Sequence, residues 1–337
     1  MVIFLLTLLS SFFISCETQD SSASKEPTLK STVISDMKDD KVTTETENHL
    51  TSATDKNFPY QLKAPVEVFE MPNKLREISG LGIDAAGTYL YAVQDEEGKL
   101  FVINTITGEV EKEKKFHKDG DYEGVEFVGD RVYAIKSSGT LYEVVNFGKE
   151  TQELIKHKFD FNKNSDIEGL GYDAKEHRLL VGCKGKVGKG ADFKFKKGIF
   201  SLSLDSMKMS EDPVYTISVE AVKDFLEINS ALEKVDKLVK LFQPGEEFIF
   251  GPSGLAVHPK SGDIYITSSV GKLLVVINRD GDIKHLVKLK KKLHEQPEGI
   301  VFAQDGTMYI SNEGKNGKGK IFKFAYQEVT ELSLIHI

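Results

Sequence analysis

One short phrase recurs along the chain and constrains its fold more than any other feature. A polar residue, a glycine and an apolar run recur in ISGLGID, DYEGVEFV, DIEGLGYD, PSGLAVHP and PEGIVFA. The spacings of 44, 45, 85 and 45 residues separate the five glycines, which are Gly80, Gly124, Gly169, Gly254 and Gly299. A fixed period of this size is typical of repeat architectures, and the long interval fits one repeat followed by an insertion.

Each repeat contains four short runs with the alternation of β-strands. In the third repeat they predict strands at 167–173, 178–184, 198–204 and 213–219. Four strands in a period of about 45 residues form one blade of a β-propeller. The sequence therefore predicts an all-β, five-bladed propeller of four-stranded blades, as one domain over 59–331.

The last repeat has no obvious fourth strand of its own. The segment PVEVFEMP at 65–72 precedes the first phrase at the matching offset, and we expect it to complete the last blade. The rival strand is the C-terminal VTELSLIHI. Its residues 332–337 match a sequencing-library adapter read in frame, so we expect them to be an assembly artefact.

The first residues have the profile of an export signal. Residues 1–16 are apolar but too short to span a bilayer, and they end at a small residue followed by Cys16. This ending resembles the lipobox of bacterial lipoproteins, in which the cysteine carries the lipid; an ordinary cleaved signal is the alternative. Residues 17–58 are polar and predict a disordered tether. We expect a lipid-anchored protein of the bacterial cell envelope, at the outer membrane or in the periplasm.

Composition and motifs exclude several functions. The net charge of −8 argues against a nucleic-acid binder. As a separate expectation, the protein is a monomer. The chain has no P-loop, no G-x-S-x-G elbow and no H-E-x-x-H motif. Cys183 is the one cysteine of the propeller region, and we interpret it as a buried structural thiol.

The recurring phrase predicts a cluster of acids at one mouth of the central channel. First-strand starts and second-strand ends lie on the same face of a propeller, because the strands of a blade alternate in direction. Convergent carboxylates repel one another unless a cation lies between them, and oxygen ligands without His or Cys favour calcium over zinc. The candidate ligands are Glu77, Asp95, Glu123, Glu168, Glu298, Asn312 and Glu313.

A structural explanation of the phrase is the alternative. The glycine would permit close packing at the axis, and the glutamate would bond backbone N–H groups of the neighbouring blade. Ser79 and Ser253 replace the acid in two of the five repeats, so the fold does not need an acid at this position.

Two insertions fall on the acidic face. The lysine-rich loop 185–198 follows Lys184, and 219–242 carries a helical apolar stripe that indicates a packed helical insert between blades three and four, with a lid as the alternative. Basic loops beside a bound cation would suit a small anionic ligand. Lys184 and Lys189 are the candidate contacts.

From Leu75 to Tyr326 the chain resembles the SdiA-regulated propeller family, itself distantly similar to NHL repeats. The motifs are EISGLGID, DYEGVEFV, DIEGLGYD, PSGLAVHPKSGDIYITSSVGKLLVVINRDG and QPEGIVFAQDGTMYISNEG. The resemblance implies a five-bladed propeller, often exported or lipid-anchored, with calcium in some members and no established activity. A remoter similarity to gluconolactonases and regucalcin implies a metal-binding role for Glu123, Glu168 and Glu298.

These observations favour a binding protein with a calcium site at the channel mouth. Its ligand would be a small anion or another envelope protein. The alternative is a metal-dependent hydrolase, acting on lactones, esters or phosphodiesters, that uses the same acidic ring to polarise a carbonyl and activate water.

Overall fold

The structure is a computed structural model that describes residues 57–161, 164–187, 195–230, 232, 235–242 and 249–328. Cys16, Lys189, residues 17–56 of the predicted tether and residues 332–337 lie outside the described residues. Phe58, the last residue of the predicted tether, contacts the ring of Tyr60 edge-on at 5.8 Å between centroids. Within these ranges, no helix is long and apolar enough to cross a membrane.

Five antiparallel four-stranded blades form a ring, which confirms the predicted fold. After β1 (Glu67–Glu70) and a 3-10 turn at Asn73–Leu75, the first blade contains β2 (Ile78–Ile83), β3 (Tyr89–Gln94), β4 (Lys99–Asn104) and β5 (Val110–Lys115). The second contains β6 (Tyr122–Val128), β7 (Arg131–Lys136), β8 (Thr140–Val145) and β9 (Glu153–Lys158). The third contains β10 (Ile167–Asp173), β11 (Arg178–Cys183), β12 (Lys196–Ser203), β13 (Lys208–Met209) and β14 (Tyr215–Ser218). The fourth contains β15 (Gly254–Val257), β16 (Ile264–Ser268), β17 (Leu273–Ile277) and β18 (Ile283–Lys288), and the fifth begins with β19 (Pro297–Phe302), β20 (Met308–Asn312) and β21 (Lys320–Phe324).

The N-terminal strand closes the ring, as the sequence predicted. Strand β1 pairs antiparallel with β21 from Glu67 opposite Lys323 to Glu70 opposite Lys320. The strand is shorter than the predicted 65–72, because Pro65 and Pro72 flank it and cannot donate to a ladder. Because β1 completes the last blade and leads directly into the first, it links these two blades covalently.

The third blade carries the predicted helical insertion, built as two helices rather than one. The outer edge of the third blade consists of two short strands: β14 pairs with the first half of β12, and β13 pairs with the second half. Helix α1 (Val219–Ile228) begins at Ser218, whose hydroxyl accepts the N–H of Ala221, and α2 (Val235–Leu241) follows. Val222, Leu226 and Leu238 are buried in one cluster with strands of blades three and four, which supports a packed insert.

The glycines of the recurring phrase are required by close packing at the axis. A Cβ atom built on any of the five would lie only 2.2 to 2.9 Å from the nearest atom, which belongs to the next inner strand of the ring. At Gly254 that atom is the carbonyl oxygen of Glu298, 2.2 Å away. The predicted structural role of the glycine is therefore confirmed, whatever the acid beside it does.

Candidate functional site

β-Bulges at the start of four inner strands direct the phrase toward the channel mouth. In β6, Tyr122 pairs with Lys136 and Gly124 with Ile135, so Glu123 is the extra residue. The register shifts in the same way around Glu168, and shifts also occur around Glu298 and Ser79. A bulge redirects a side chain that regular alternation would place elsewhere. The sequence phrase therefore encodes a local backbone irregularity as well as an acid.

Glu123 and Glu298 are crowded by other acids. Burial, followed by repulsion from Glu168 and Asp121, raises the pKa of Glu123 to about 9. Glu298 is only 5% exposed, and burial together with Glu168 and Glu313 raises its pKa to about 8. Both carboxyls hold a proton at neutral pH unless a cation arrives.

Glu168 differs from them because it has an internal cation. The ammonium of Lys184 lies 2.5 Å from its Oε1, at the end of the neighbouring strand β11. Burial raises the pKa of Glu168 to about 7, while Lys184 opposes that rise. Lys184, predicted from its sequence position to meet an anionic ligand, thus contacts a carboxylate of the ring itself.

The acids of blades one and five form the other side of the ring. Burial, with repulsion from Glu77 and Glu96, raises the pKa of Asp95 to about 6. Burial and then Asp95 also raise the pKa of Glu313. Glu77 lies at the rim, paired with Arg76 at 3.0 Å. The seven predicted residues therefore lie around one mouth, with Lys184 paired to Glu168 on one side and Lys315, which opposes the rise at Glu313, on the other.

Two oxygens on this second side lack hydrogen-bond partners. Asp95 Oδ1 and Asn312 Oδ1 are buried side-chain atoms with no partner among the described residues. A buried acceptor without a partner costs about 1–3 kcal/mol unless water or an ion satisfies it. Hard, unpaired oxygens are the donors that calcium prefers, so this donor set fits that ion in its chemistry.

In the part of the chain that the structure describes, the hydrogen bonds of Glu123 and Glu168 do not go to backbone N–H groups of the neighbouring blade, as the structural alternative expects. The serine hydroxyls of the phrase make bonds to the neighbouring backbone instead, as donors: Ser79 Oγ donates to the carbonyl of Glu123 at 2.9 Å and Ser253 Oγ to that of Pro297 at 2.8 Å. The hydrogen bonds of Glu123 and Glu168 go to the side chains of Ser79 and Lys184. For these two glutamates, the structural explanation of the acid is thus not supported.

The acids surround the mouth without converging on one point. Among the described residues, no group of three His, Cys, Asp or Glu side chains is gathered as a ready metal site. Below the mouth the axis is packed, because the space among Gly80, Glu123, Leu170, Ser253 and Ile300 is too small for a water molecule. A ligand of this mouth must therefore bind on the disc surface.

Two further buried residues, Cys183 and Glu126, are not among the seven predicted ligands. Cys183 is fully buried, which confirms the predicted structural thiol, and burial raises its pKa to about 12. Sequence analysis missed Glu126, a buried acid two residues after the phrase glycine of blade two. An alignment of the five repeats would have found it, since the equivalent residues are Gly82, Gly171, Ala256 and Val301.

Solved structures share the propeller fold at low sequence identity. The glutaminyl cyclase of Myxococcus xanthus is 10% identical, with 79% of this chain and 97% of that chain covered and a TM-score of 0.50. A luciferin-regenerating enzyme is 12% identical over 78% of this chain and 95% of that chain, with a TM-score of 0.46. At these identities the likeness concerns the fold alone.

The sequence comparison is more specific. No curated protein matches the chain. The pattern of the SdiA-regulated family matches residues 52–186 and 210–316, which include all five copies of the recurring phrase. The chain belongs to the SdiA-regulated family.

Proposed function

We propose that this protein is an exported, lipid-anchored binding propeller whose acidic mouth takes calcium. The ring of buried, mutually repelling carboxyls from four blades carries the proposal. A fold gains no stability from such crowding, because each charged form is disfavoured by burial and by its neighbours. A cation that binds the charged forms would offset both costs.

The calcium would be held mainly by the side of the ring away from Lys184. Asp95, Asn312 and Glu313 supply oxygens there, with Glu77 at the rim. Glu123 and Glu298 flank this group, while Glu168 already has the ammonium of Lys184. Bound calcium would supply positive charge and open coordination positions for an anionic ligand, and Lys184 would add a second positive charge beside them.

The test is thermal unfolding of the protein in calcium and in chelator. An ion that binds only the folded state stabilises it by about 2.7 kcal/mol at a hundredfold excess over its Kd, or roughly 5–10 °C for a domain of this size. Asp95→Asn and Glu313→Gln should reduce this shift severalfold. Glu67→Gln, on the outer strand β1, is the matched control and should retain it.

A flat calcium titration of the parent would reject the metal site. So would an undiminished shift in both Asp95→Asn and Glu313→Gln. The magnesium ion is a useful comparison, because its demand for octahedral geometry suits a dispersed ring less well than calcium does.

A hydrolase using the same mouth is the second candidate, and Asp95 favours it. A carboxyl with a pKa of about 6 and one unpartnered oxygen, beside metal-type donors, has the properties of a general base. Calcium-dependent turnover of a lactone or phosphoester that Asp95→Asn abolishes would establish this function. Calcium binding without turnover across such a panel would favour the binding protein.

The anchoring part of the proposal rests on Cys16. Acylation there would hold the protein at the membrane, and Cys16→Ser should move it to the soluble fraction. Cys183→Ala, which changes the buried thiol of the propeller, is the control and should stay with the membrane. Membrane association of the Cys16→Ser protein would contradict the lipid anchor.

A further inference from the structure

The mouth opposite the acidic ring contains a cavity of about 530 Å³. The inner strands of all five blades contribute to its walls near their C-terminal ends, with Ile83, Phe127, Tyr172, Val257 and Phe302 among them. A volume in this range with mainly apolar walls and a few polar groups is typical of small-molecule sites. The packed axis separates it from the acidic mouth, so the two mouths are independent.

Glu126 breaks the pattern of the repeat at this cavity. The residue two positions after the phrase glycine is Gly82, Gly171, Ala256 or Val301 in the other four blades. These small or apolar residues line the axis without charge, and only blade two has a carboxyl there. The fold therefore does not require an acid at this position, which makes Glu126 a candidate for a function of its own.

The described surroundings of Glu126 offer no cation to its ionised form. The side chain is 5% exposed, and its Oε1 accepts the backbone N–H of Tyr172 at 2.9 Å. Among the described residues it forms no ion pair. Burial raises its pKa to about 8, although backbone N–H groups of Tyr172 and Phe127 oppose the rise. A cationic group beside it would supply the missing partner charge.

The rim of the same cavity has the opposite charge. Lys175, Lys260 and Arg279 line it. Arg279 is bound to Asp173 through two hydrogen bonds of 2.6 and 2.8 Å. Lys260 lies 3.8 Å from the exposed Glu328 and 4.4 Å from the centre of the Tyr326 ring, so Lys175 is the rim cation without an acidic partner among the described residues and Lys260 has only an exposed one. Asp84 also lines the cavity, but its Oδ1 already accepts the N–H groups of Thr88 and Tyr89.

We propose that this cavity binds a small zwitterion, with its ammonium against Glu126 and its anionic group between Lys175 and Lys260. The apolar part of the ligand would contact Phe127, Tyr172 and Phe302. Ligands of amino-acid type have this arrangement of charges. A buried acid inside and basic residues outside would orient such a molecule in one direction.

Three probes of one shape separate these contributions. Phenylalanine carries both charges, phenethylamine lacks the carboxylate, and 3-phenylpropionate lacks the ammonium. Binding to the full chain, measured by calorimetry or by protein NMR, should be tightest for phenylalanine and about tenfold weaker for phenethylamine. 3-Phenylpropionate should show no saturable binding up to about 10 mM, because it lacks the ammonium that would contact Glu126.

Glu126→Gln is the decisive variant, because an amide oxygen can still accept the N–H of Tyr172. It should lower the affinity for phenylalanine and phenethylamine at least tenfold. Glu143→Gln, at a buried glutamate of β8 in the same blade that does not line the cavity, is the matched control and should change neither. The exposed double variant Lys175→Glu/Lys260→Glu should reverse the preference toward phenethylamine, and it tests the proposal even if Glu126→Gln fails to fold.

Three results would overturn the proposal. The first is no saturable binding of phenylalanine or phenethylamine. The second is equal affinity in the parent and a folded Glu126→Gln. The third is binding of 3-phenylpropionate as tight as that of phenylalanine, which would show that the rim lysines select an anion without help from Glu126.

Discussion

The two mouths of the channel place buried carboxyls in opposite electrostatic surroundings. At the acidic mouth, Glu123 and Glu298 face other acids, and the pKa of each is raised. Toward the other mouth, Asp173 is fully buried, but Arg279 and Arg178 hydrogen bond to it and lower its pKa although burial opposes this. Burial raises the pKa of the acids at both mouths, and at Asp173 the two arginines outweigh it.

The difference indicates which of the buried acids contribute to stability. Asp173 joins β10 of blade three to Arg279 in the loop after β17 of blade four, so its ion pairs tie two blades together. The acids of the other mouth have too few cations, with Lys184 as the internal partner of Glu168. Buried acids that crowd one another without stabilising the fold are typical of binding sites.

Loss of the Asp173 carboxylate is the largest effect that this comparison predicts. Asp173→Asn should reduce the free energy of unfolding by about 3 kcal/mol, because two partly buried guanidinium groups lose their counter-charge. Urea denaturation at pH 7 measures this. The exposed pair of Glu67 and Lys323 is the reference, and Glu67→Gln should cost less than about 1 kcal/mol. Equal costs for the two variants would show that the buried ion pairs of Asp173 stabilise the fold no more than an exposed pair does.

The pH dependence of stability should reveal the acidic mouth between pH 7 and 9. The folded pKa values of Glu123 and Glu298, about 9 and 8, lie above the unfolded value of 4.5, so the folded state retains protons that the unfolded state has lost. The stability that these two groups contribute is therefore complete below pH 4.5 and falls as pH rises, to its minimum above pH 9.

The measurement is urea denaturation in chelator at pH 7, 8 and 9. The free energy of unfolding of the parent should fall by roughly 2–4 kcal/mol over this range. Glu123→Gln should flatten the decline, since the amide does not titrate, whereas Asp173 titrates below this range and does not contribute. Buried histidines do not interfere, because His258 and His294, with pKa values of about 4, stay neutral when folded. Glu126 at the other mouth, with a pKa of about 8, adds to the same decline, so the difference in slope between the parent and Glu123→Gln measures the acidic mouth. A parent whose stability rises from pH 7 to 9, or an unchanged slope in Glu123→Gln, would be evidence against crowding.

The smallest effect distinguishes two glutamates within the acidic mouth. At pH 7 in chelator, Glu168→Gln should cost about 1 kcal/mol because Lys184 loses its partner, whereas Glu123→Gln should cost close to nothing. A double-mutant cycle with Lys184→Met measures the coupling directly. A coupling energy indistinguishable from zero would show that Lys184 does not neutralise the ring.

The sequence by itself determined the blades, the closure and the glycines at the axis. The period of the phrase, the alternation within each strand and the strand at 65–72 are properties of contiguous residues, and close packing at Gly254 follows from the repeat alone. The helical stripe of 219–242 likewise predicted a packed insert, although two helices form it. Cys183 lies on an apolar strand, and its burial followed from that.

The tertiary structure decided how the charges at the two mouths are paired. Bulges set the direction of Glu123 and Glu168, and a register shift is fixed by pairing with the next strand rather than by local preference. The partners that matter, Glu168 with Lys184 and Asp173 with Arg279, lie 16 and 106 residues apart. The sequence placed the acids at one mouth, but only folding showed which of them a lysine neutralises and that the larger cavity, with Glu126 at its wall, lies at the other.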